Sequence, residues 1–414
     1  MSTSPQHIVP NVIQQHVEES AILRGVRSAL VRGPHVKLHH LRRLDERLAA
    51  HLDGISIAGD FGRNACTATL ENPQKGQVFT AAARAIEDGA VVELNRLLAL
   101  AEAMPEIQPG LLSAAGWVSA RFLQGTVREL LQSTSAFRRQ VGISACAMHQ
   151  VDPGDALQKS LGDPDSRLRA RALRCIGESG RRDLLASCLQ AIEHEDLACR
   201  LWAARSAALL GERERAAAFL TELAVNDAKV RRYVLPMLLK LVDAAQANTI
   251  LKQLAKESLE LRLLISASGT TGDVSYIPWL IKQMDDPKST RLAGEAFSMI
   301  TGLDLSLLDL DRKPPKDFEP DDELGIDDDD SLPWPDPQKL QAWWQENLNR
   351  FKPGERYFMG EPPTVSHCMN VLRDGYQRQR IAAAEHLCLL QPGSQLFPAS
   401  APAWRQERWL KKMN

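Results

Sequence analysis

The hydrophobic and polar positions in the middle of the chain repeat about every 30 residues. Polar turn residues come before successive apolar stretches, at Ser135, Asp165, Asp196, Asp227, Glu257 and Asp286. Within each stretch the apolar residues recur with the helix period, as on the shared face of Leu168, Ala172, Cys175 and Ile176. Because a polar side chain at such a turn can accept from free amide groups, the pattern predicts one capped amphipathic helix in each period.

A glycine and a second, shorter apolar stretch follow most of these helices. The glycines are Gly177 and Gly180, Gly211, Gly269 and Gly272, and Gly302. Glycine ends a helix at no steric cost because it adopts the left-handed conformation freely. Each period therefore predicts a helical hairpin, and a hairpin of this size buries its apolar faces only by stacking on its neighbours. The predicted fold class is all-α, an α-solenoid of helical hairpins.

The composition along the chain predicts four segments. Residues 1–69 form an N-terminal helical cap, and residues 70–308 form the repeat solenoid. Residues 309–333 form an acidic flexible linker, because positions 309–330 carry 11 acidic residues, three basic residues and three prolines. Residues 334–414 form a small, mostly helical C-terminal domain that is rich in aromatic residues.

The overall composition excludes several classes of protein. With 44% hydrophobic and 25% charged residues the chain is globular, and with only 5% aromatic residues it is not mainly β-structured. No 18 apolar residues are contiguous, and the first residues lack the pattern of an export signal, so we expect no membrane span. The seven cysteines form no CxxC pair, which favours a reducing cytoplasm.

The stretch LGDPDSRLRARALRCIGESG, from Leu161 to Gly180, resembles a HEAT repeat. Asp286-Pro287 and Val230-Arg231 are partial matches to the same pattern. The resemblance implies that the hairpins are HEAT-like. It also implies that Asp163 and Arg169 take the places of the Asp and Arg that hydrogen-bond between neighbouring HEAT repeats.

The C-terminal stretches WWQENLNRFKPGERYFMGEPP, LRDGYQRQRIAAAEHLCLLQPGSQLFP and PAWRQ are similar to the end of a group of uncharacterised proteobacterial HEAT-repeat proteins. Genes for that group often lie beside type VI secretion genes. The resemblance implies an accessory role in that assembly or in the handling of effectors, and it implies no catalytic residue.

The arginines of the repeats are the first candidate partner-binding residues. Arg167, Arg171 and Arg174 share one helical face, and the next two periods add Arg200, Arg205, Arg231 and Arg232. The alternative is that they form hydrogen bonds between repeats or lie on solvated faces. Residues 161–240 hold 14 basic and 11 acidic residues, an excess too small for a nucleic-acid groove.

Four tryptophans are the second set of candidate partner-binding residues. Trp343 and Trp344 lie on a predicted capped helix, one facing inward and the other at the rim, and Trp404 and Trp409 lie five positions apart near residue 414. Trp and Arg dominate interface hot spots, which favours partner binding. The alternative is that these rings pack the C-terminal domain against the last hairpin.

The sequence contains no pattern that indicates catalysis, a metal or a cofactor. It lacks GxSxG, GxxxxGK[ST], GxGxxG and HExxH. His35 and His39 have helical spacing, but no further ligand stands at a zinc-binding distance, so we interpret them as surface residues of a helix. The acidic run Asp327 to Asp330 lacks the glycine and distal glutamate of a calcium loop, and the glycines Gly269 and Gly272 fall where a turn between helices is required.

The sequence therefore predicts a non-catalytic scaffold or adaptor in the cytoplasm that binds a protein partner, as an accessory of type VI secretion. Two alternatives stay open. One is an immunity protein against a secreted effector. The other is a HEAT-like nucleic-acid-binding enzyme such as a DNA glycosylase, which the weak basic charge and few aromatic residues disfavour.

Overall fold

A computed structural model of the chain describes residues 8–256, 260–315 and 329–413. These residues form two compact units. The first unit consists of residues 8–32, 36–179 and 397–413, and the second of residues 33–35 and the described residues between 180 and 396. Within the described ranges the only β-type pairings are isolated bridges, so the predicted all-α class is confirmed for them.

The first unit contains eleven of the described α-helices. They are α1 (Pro10–Leu30), α2 (Leu38–Ile57), α3 (Gly59–Ala68), α4 (Lys75–Glu87), α5 (Val91–Ala103), α6 (Gln108–Trp117), α7 (Thr126–Gln132), α8 (Ala136–Met148), α9 (Asp155–Ser160), α10 (Ser166–Ser179) and α22 (Ala403–Lys412). The helices from α1 to α8 share one large apolar core. Val17, Leu48, Phe79, Leu111 and Val141 are among its buried side chains.

The second unit contains the remaining described α-helices. They are α11 (Leu185–Ala191), α12 (Leu197–Leu209), α13 (Glu214–Asn226), α14 (Arg231–Leu241), α15 (Ala244–Lys256), α16 (Leu261–Thr271), α17 (Ile277–Gln283), α18 (Thr290–Thr301), α19 (Pro337–Asn347), α20 (Val365–Asp374) and α21 (Gln377–Leu390). Phe297 of α18 and Leu340 and Trp344 of α19 share one apolar cluster. The segment from α19 to Tyr357 therefore packs against α17 and α18, the last hairpin of this unit.

Three of the predicted capping residues accept from the helix that follows them. They are Ser135, Asp165 and Asp196, whose side chains accept amide hydrogens at the starts of α8, α10 and α12. Asp227 and Asp286 differ, because each accepts from the amide two positions on and its helix begins only at Arg231 or Thr290. The predicted cap Glu257 lies outside the described residues.

The glycines predicted to end helices include four with positive φ: Gly180, Gly211, Gly272 and Gly302. At Gly302, which follows α18, φ is 76° and an added Cβ would lie 2.4 Å from the carbonyl oxygen of Met359. Glycine is needed there both for the left-handed backbone and for the close approach of the segment after α19.

The last described residues, 397–413, belong to the unit that the N-terminal helices build. Arg405 of α22 is buried and donates to the carbonyls of Gly116, Trp117 and Val118 over 2.7 to 3.2 Å. These carbonyls lie at the C-terminal end of α6, where they have no amide donor within the helix and where a positive charge is favourable. Arg405 therefore caps α6 and attaches α22 to it.

Arg356 plays the same part in the second unit. Its guanidinium donates to the carbonyls of Leu239, Lys240 and Val242 at the end of α14, each over 2.6 to 2.7 Å. Its Nε donates to the carbonyl of Thr271 at the end of α16 over 3.0 Å. One side chain from the segment after α19 thus binds the ends of two repeat helices. The four predicted segments differ in extent from the two compact units, and their boundaries stay a prediction.

Candidate binding site

An arginine near the start of several repeat helices reaches back to the preceding turn. Arg139 donates to the carbonyl of Ser133 over 2.7 Å, and Arg169 donates to the carbonyl of Asp163 over 2.9 Å. Each pair is separated by six positions. The repeated bond gives the turn carbonyl a charged donor and so stabilises the turn between hairpins.

Asp163 also connects two repeats of the first unit. Its carboxylate accepts from Arg139 of α8, in the preceding repeat, over 2.5 Å. The HEAT resemblance implies a contact between Asp163 and Arg169, and the two residues do interact. Arg169 donates to the backbone carbonyl of Asp163, whereas the Asp163 carboxylate accepts from Arg139. The bond between neighbouring repeats is therefore made by an arginine that the sequence motif did not identify.

The three candidate arginines of α10 differ in their exposure and in the contacts that they make within the unit. Arg167 is exposed. Arg171 is held by Ser144 and by Glu178, each at 2.9 Å. Arg174 is half exposed and donates to the other oxygen of Glu178 over 2.6 Å. Burial alone would raise the pKa of Glu178, but Arg171 and Arg174 together hold that pKa below its usual range.

The candidate arginines of the second unit make contacts inside that unit. The guanidinium of Arg200 lies 4.5 Å from the centre of the Phe219 ring, and its Nε donates to the carbonyl of Ile192 over 3.0 Å. Arg205 donates to Glu385 over 2.7 Å. Arg231 is buried and donates to carbonyls at the end of α13. These contacts support the internal role that the sequence left open, and partner binding by these residues stays a prediction.

The structure adds an exposed aromatic residue on α14 that the sequence analysis did not select. The side chain of Tyr233 is 63% exposed. The guanidinium of Arg232 lies 4.6 Å from the centre of its ring and donates to its hydroxyl. Tyr233 follows two arginines and lies off the apolar stripe of the helix, and this position in the sequence could have indicated that it is exposed. An exposed Tyr with an Arg stacked on it has the chemistry of an interface hot spot.

Trp343 and Trp344 lie in the aromatic cluster of the second unit. Trp344 is buried against Phe351, and Trp343 is half-buried with its ring 6.0 Å from that of Phe297. The predicted division into an inward ring and a rim ring is therefore present. Arg350 lies 5.9 Å from the centre of the Trp343 ring at the exposed side.

Trp404 and Trp409 lie on α22 in the first unit. Trp404 is 41% exposed, and its ring meets that of Trp117 edge to face at 4.7 Å. Trp409 is half-buried between the ring of Phe397 and the guanidinium of Arg405. Of the four predicted tryptophans, Trp404 offers the most surface, and the partner-binding role of all four stays a prediction.

The ionisable groups of the described residues show no arrangement typical of a nucleophile or a metal centre. Burial raises the pKa of the Cys66, Cys175 and Cys188 thiols to about 12, so these thiols are neutral near pH 7. Among the described positions no three His, Cys, Asp or Glu side chains gather as metal ligands would. His35 precedes α2 rather than lying on it, because Lys37 is the residue before the helix begins, so the predicted helical pair with His39 was wrong.

The acidic run is described only in part. Residues 316–328, which include the middle of the predicted flexible linker and Asp327 and Asp328 of the acidic run, lie outside the described residues. Asp329 is buried and accepts from Arg262 of α16 over 2.6 Å. None of the described helices is long and apolar enough to cross a lipid bilayer.

Comparison with known proteins identifies the central repeats. Residues 154–240 match the family model described as HEAT repeats. No curated protein matches the chain. The match supports a HEAT-repeat protein and, with the described helices, the predicted class of all-α helical repeats. HEAT repeats generally serve as helical scaffolds for protein interactions, and Arg231, Arg232 and Tyr233 lie within the matched residues.

Proposed function

We propose that this protein is a non-catalytic adaptor that binds a protein partner through its HEAT repeats. The observation that carries the proposal is the exposed Arg232–Tyr233 pair on α14, which lies inside the residues that match HEAT repeats. Most other large apolar side chains of α14 are buried, so the exposed ring does not serve the core. A rigid ring with a stacked guanidinium loses little conformational freedom on binding and offers both apolar and polar contact.

The finer part of the proposal is an accessory role in type VI secretion, in the cytoplasm of a bacterium. It rests on the resemblance of the C-terminal stretches around Trp343 and Trp404 to the proteobacterial group. In this role the partner is a secretion component or an effector. The HEAT match is in keeping with it, because a scaffold that holds a protein needs no active site.

The test is affinity capture from the native host with the tagged protein and with the double variant Arg232→Ala, Tyr233→Ala. We expect the double variant to lose most of the captured partner while its circular dichroism spectrum is unchanged. Arg215→Ala is the matched control, since Arg215 is also exposed and its ion pair with Glu193 is loose at 3.8 Å. Equal capture by the double variant and the control would contradict the proposal.

The identity of the captured protein tests the finer part. Capture of type VI components or their effectors supports an accessory role. If deletion of the gene makes a strain sensitive to its siblings, an immunity role replaces the adaptor. Salt-sensitive binding of labelled duplex DNA would favour the nucleic-acid enzyme instead.

A further inference from the structure

The first unit contains an apolar cavity of about 240 Å³ between α3, α4 and α5. Ala81 and Ala85 of α4 lie in its wall together with Leu97 and Leu100 of α5. Leu70, just after α3, Cys66 of α3 and Ala90 add to the apolar part of the wall. The two alanines explain the space, since their methyl groups are too short to fill the gap between the flanking helices.

The volume sets the size of what the cavity can hold. A dry cavity of roughly 150 Å³ lined by aliphatic side chains holds one benzene molecule, so by proportion this one holds about ten carbon atoms. A helix is about 10 Å wide with its side chains and is too thick to enter. The cavity therefore suits a single slender apolar chain.

Four charged side chains line the cavity: Arg63, Arg84, Arg96 and Glu93. Asp60, Glu87 and Asp88 pair with these arginines from outside the lining, so the preference for an anionic group rests on the guanidinium donors and not on net charge. Arg84 is buried and committed to Glu87 and to neighbouring groups. Arg63 and Arg96 are 42% and 73% exposed, which puts them on the solvent side of the cavity.

The ion pairs of these two outer arginines are weak enough to exchange. Arg96 pairs with Glu93 over 3.2 Å on the surface of the same helix. Arg63 pairs with Asp60, which is 86% exposed, and lies 3.6 Å from Asp88. Exposed pairs three positions apart contribute little to stability, so a carboxylate can take their place at little cost.

We propose that this cavity binds a medium-chain fatty acid, with its alkyl chain against Ala81 and Ala85 and its carboxylate between Arg63 and Arg96. The site is independent of the proposed protein-binding surface on α14, because it lies in a different compact unit. Aliphatic walls exclude water from the chain, and the two guanidinium groups select a carboxylate over an amine or an alcohol at the same chain length.

The test is isothermal titration of the full chain with decanoate, 1-decanol and decylamine, each below its aggregation concentration. We expect decanoate to bind at least about tenfold more tightly than decylamine, because only the carboxylate can accept hydrogen bonds from the guanidinium groups of Arg63 and Arg96. Equal affinity for the acid and the amine would overturn the proposal, and so would an absence of decanoate binding up to millimolar concentration.

Two sets of variants locate the site. Ala85→Leu fills the cavity and should weaken decanoate binding by at least about tenfold. The double variant Arg63→Ala, Arg96→Ala should weaken decanoate but not decanol, and Arg128→Ala, an exposed arginine that does not line the cavity, should change neither. If circular dichroism shows that Ala85→Leu perturbs the fold, the double variant Arg63→Ala, Arg96→Ala alone tests the location of the site. If Ala85→Leu is folded and both it and the double arginine variant bind decanoate as tightly as the parent protein, the proposed site is wrong.

Discussion

Lys240 donates from Nζ to Oε2 of Glu385 over 2.6 Å, with both side chains less than a tenth exposed. The other carboxylate oxygen accepts from Arg205 over 2.7 Å. Burial alone would raise the pKa of Glu385, but the attraction of Lys240 and Arg205 lowers it to about 2. Glu385 of α21 therefore connects α12 and α14 while carrying a full negative charge.

Removing one member of this group should cost more than removing the pair. Glu385→Leu leaves the Lys240 ammonium buried without its carboxylate, and we expect a loss of about 3 to 5 kcal/mol in the free energy of unfolding. The double variant Lys240→Met, Glu385→Leu should recover part of that loss, because no unpaired charge stays buried there. Urea unfolding of Glu385→Leu, Lys240→Met and the double variant measures the difference. A double variant as unstable as the sum of its single changes would mean that the charges are not coupled.

The same region should make the second unit sensitive to acid. Burial, reinforced by Lys240 and Arg356, lowers the pKa of His386 to about 3. As the pH falls through 6.5 the unfolded chain takes up a proton at this histidine and the folded chain does not, so stability falls. The loss is up to about 1.4 kcal/mol per pH unit between pH 6.5 and 3.

Glu385 adds to the loss at lower pH. Its folded pKa is depressed, so its contribution to stability is present above about pH 4.5 and disappears as the pH falls toward 2.

Urea unfolding between pH 7 and 4.5 tests the role of His386. The free energy of unfolding should fall as the pH falls, and His386→Gln should reduce the slope of that dependence. Part of the slope should persist, because burial also lowers the pKa of His149 in the first unit to about 4. An unchanged slope in His386→Gln would contradict the assignment.

Arg405 should be essential for docking α22 on the first unit. Its three carbonyl bonds at the end of α6 are buried, and each hydrogen bond to a charged group contributes about 1.5 to 3 kcal/mol. Arg405→Met should therefore expose the residues after Phe397 to limited proteolysis. Arg408→Ala, an exposed neighbour on the same helix, should leave the cleavage pattern as in the parent protein. Protection of Arg405→Met equal to the parent would show that α22 docks without this residue.

Two tryptophans should respond differently to truncation. Trp344 is 5% exposed, and Trp344→Ala should cost about 3 to 5 kcal/mol through loss of burial and a new cavity. Trp404 is 41% exposed, so Trp404→Ala should cost far less. The free energy of unfolding in urea checks the order of the two. A reversed order would mean that the ring of Trp404 carries more of the packing than its exposure indicates.

The repeat could be predicted because its signals are local. The caps Ser135, Asp165 and Asp196 bond to amides within three positions, and the apolar stripe of each helix has a fixed period. Asp227 and Asp286 fit the same spacing but bind two positions on, because the loop geometry delays the helix. Spacing predicts that a turn is present more reliably than it predicts where the helix begins.

The attachment of the C-terminal residues could not be predicted from the sequence. Arg405 and Arg356 bind backbone carbonyls that are 287 and 116 positions away, and a carbonyl has no residue-specific signature. The cavity was missed for a related reason. Ala81 and Ala85 fit the apolar stripe of α4, and the sequence does not show that the opposite side chains fail to meet them. Tyr233 was overlooked because one exposed ring changes no periodicity.

The bond from the Ala403 amide to the buried Asp45 carboxylate has a consequence for biosynthesis. The two residues lie 358 positions apart in the chain and 2.7 Å apart in the fold. At 5 to 20 residues per second, roughly 20 to 70 s pass on the ribosome between them. Until then Val36 and Leu41 lack one member of the apolar cluster that they share with Ala403, and the Asp45 carboxylate accepts from Arg27 but not from the Ala403 amide. We therefore expect this part of the first unit to reach its final packing only after Ala403 has been synthesised.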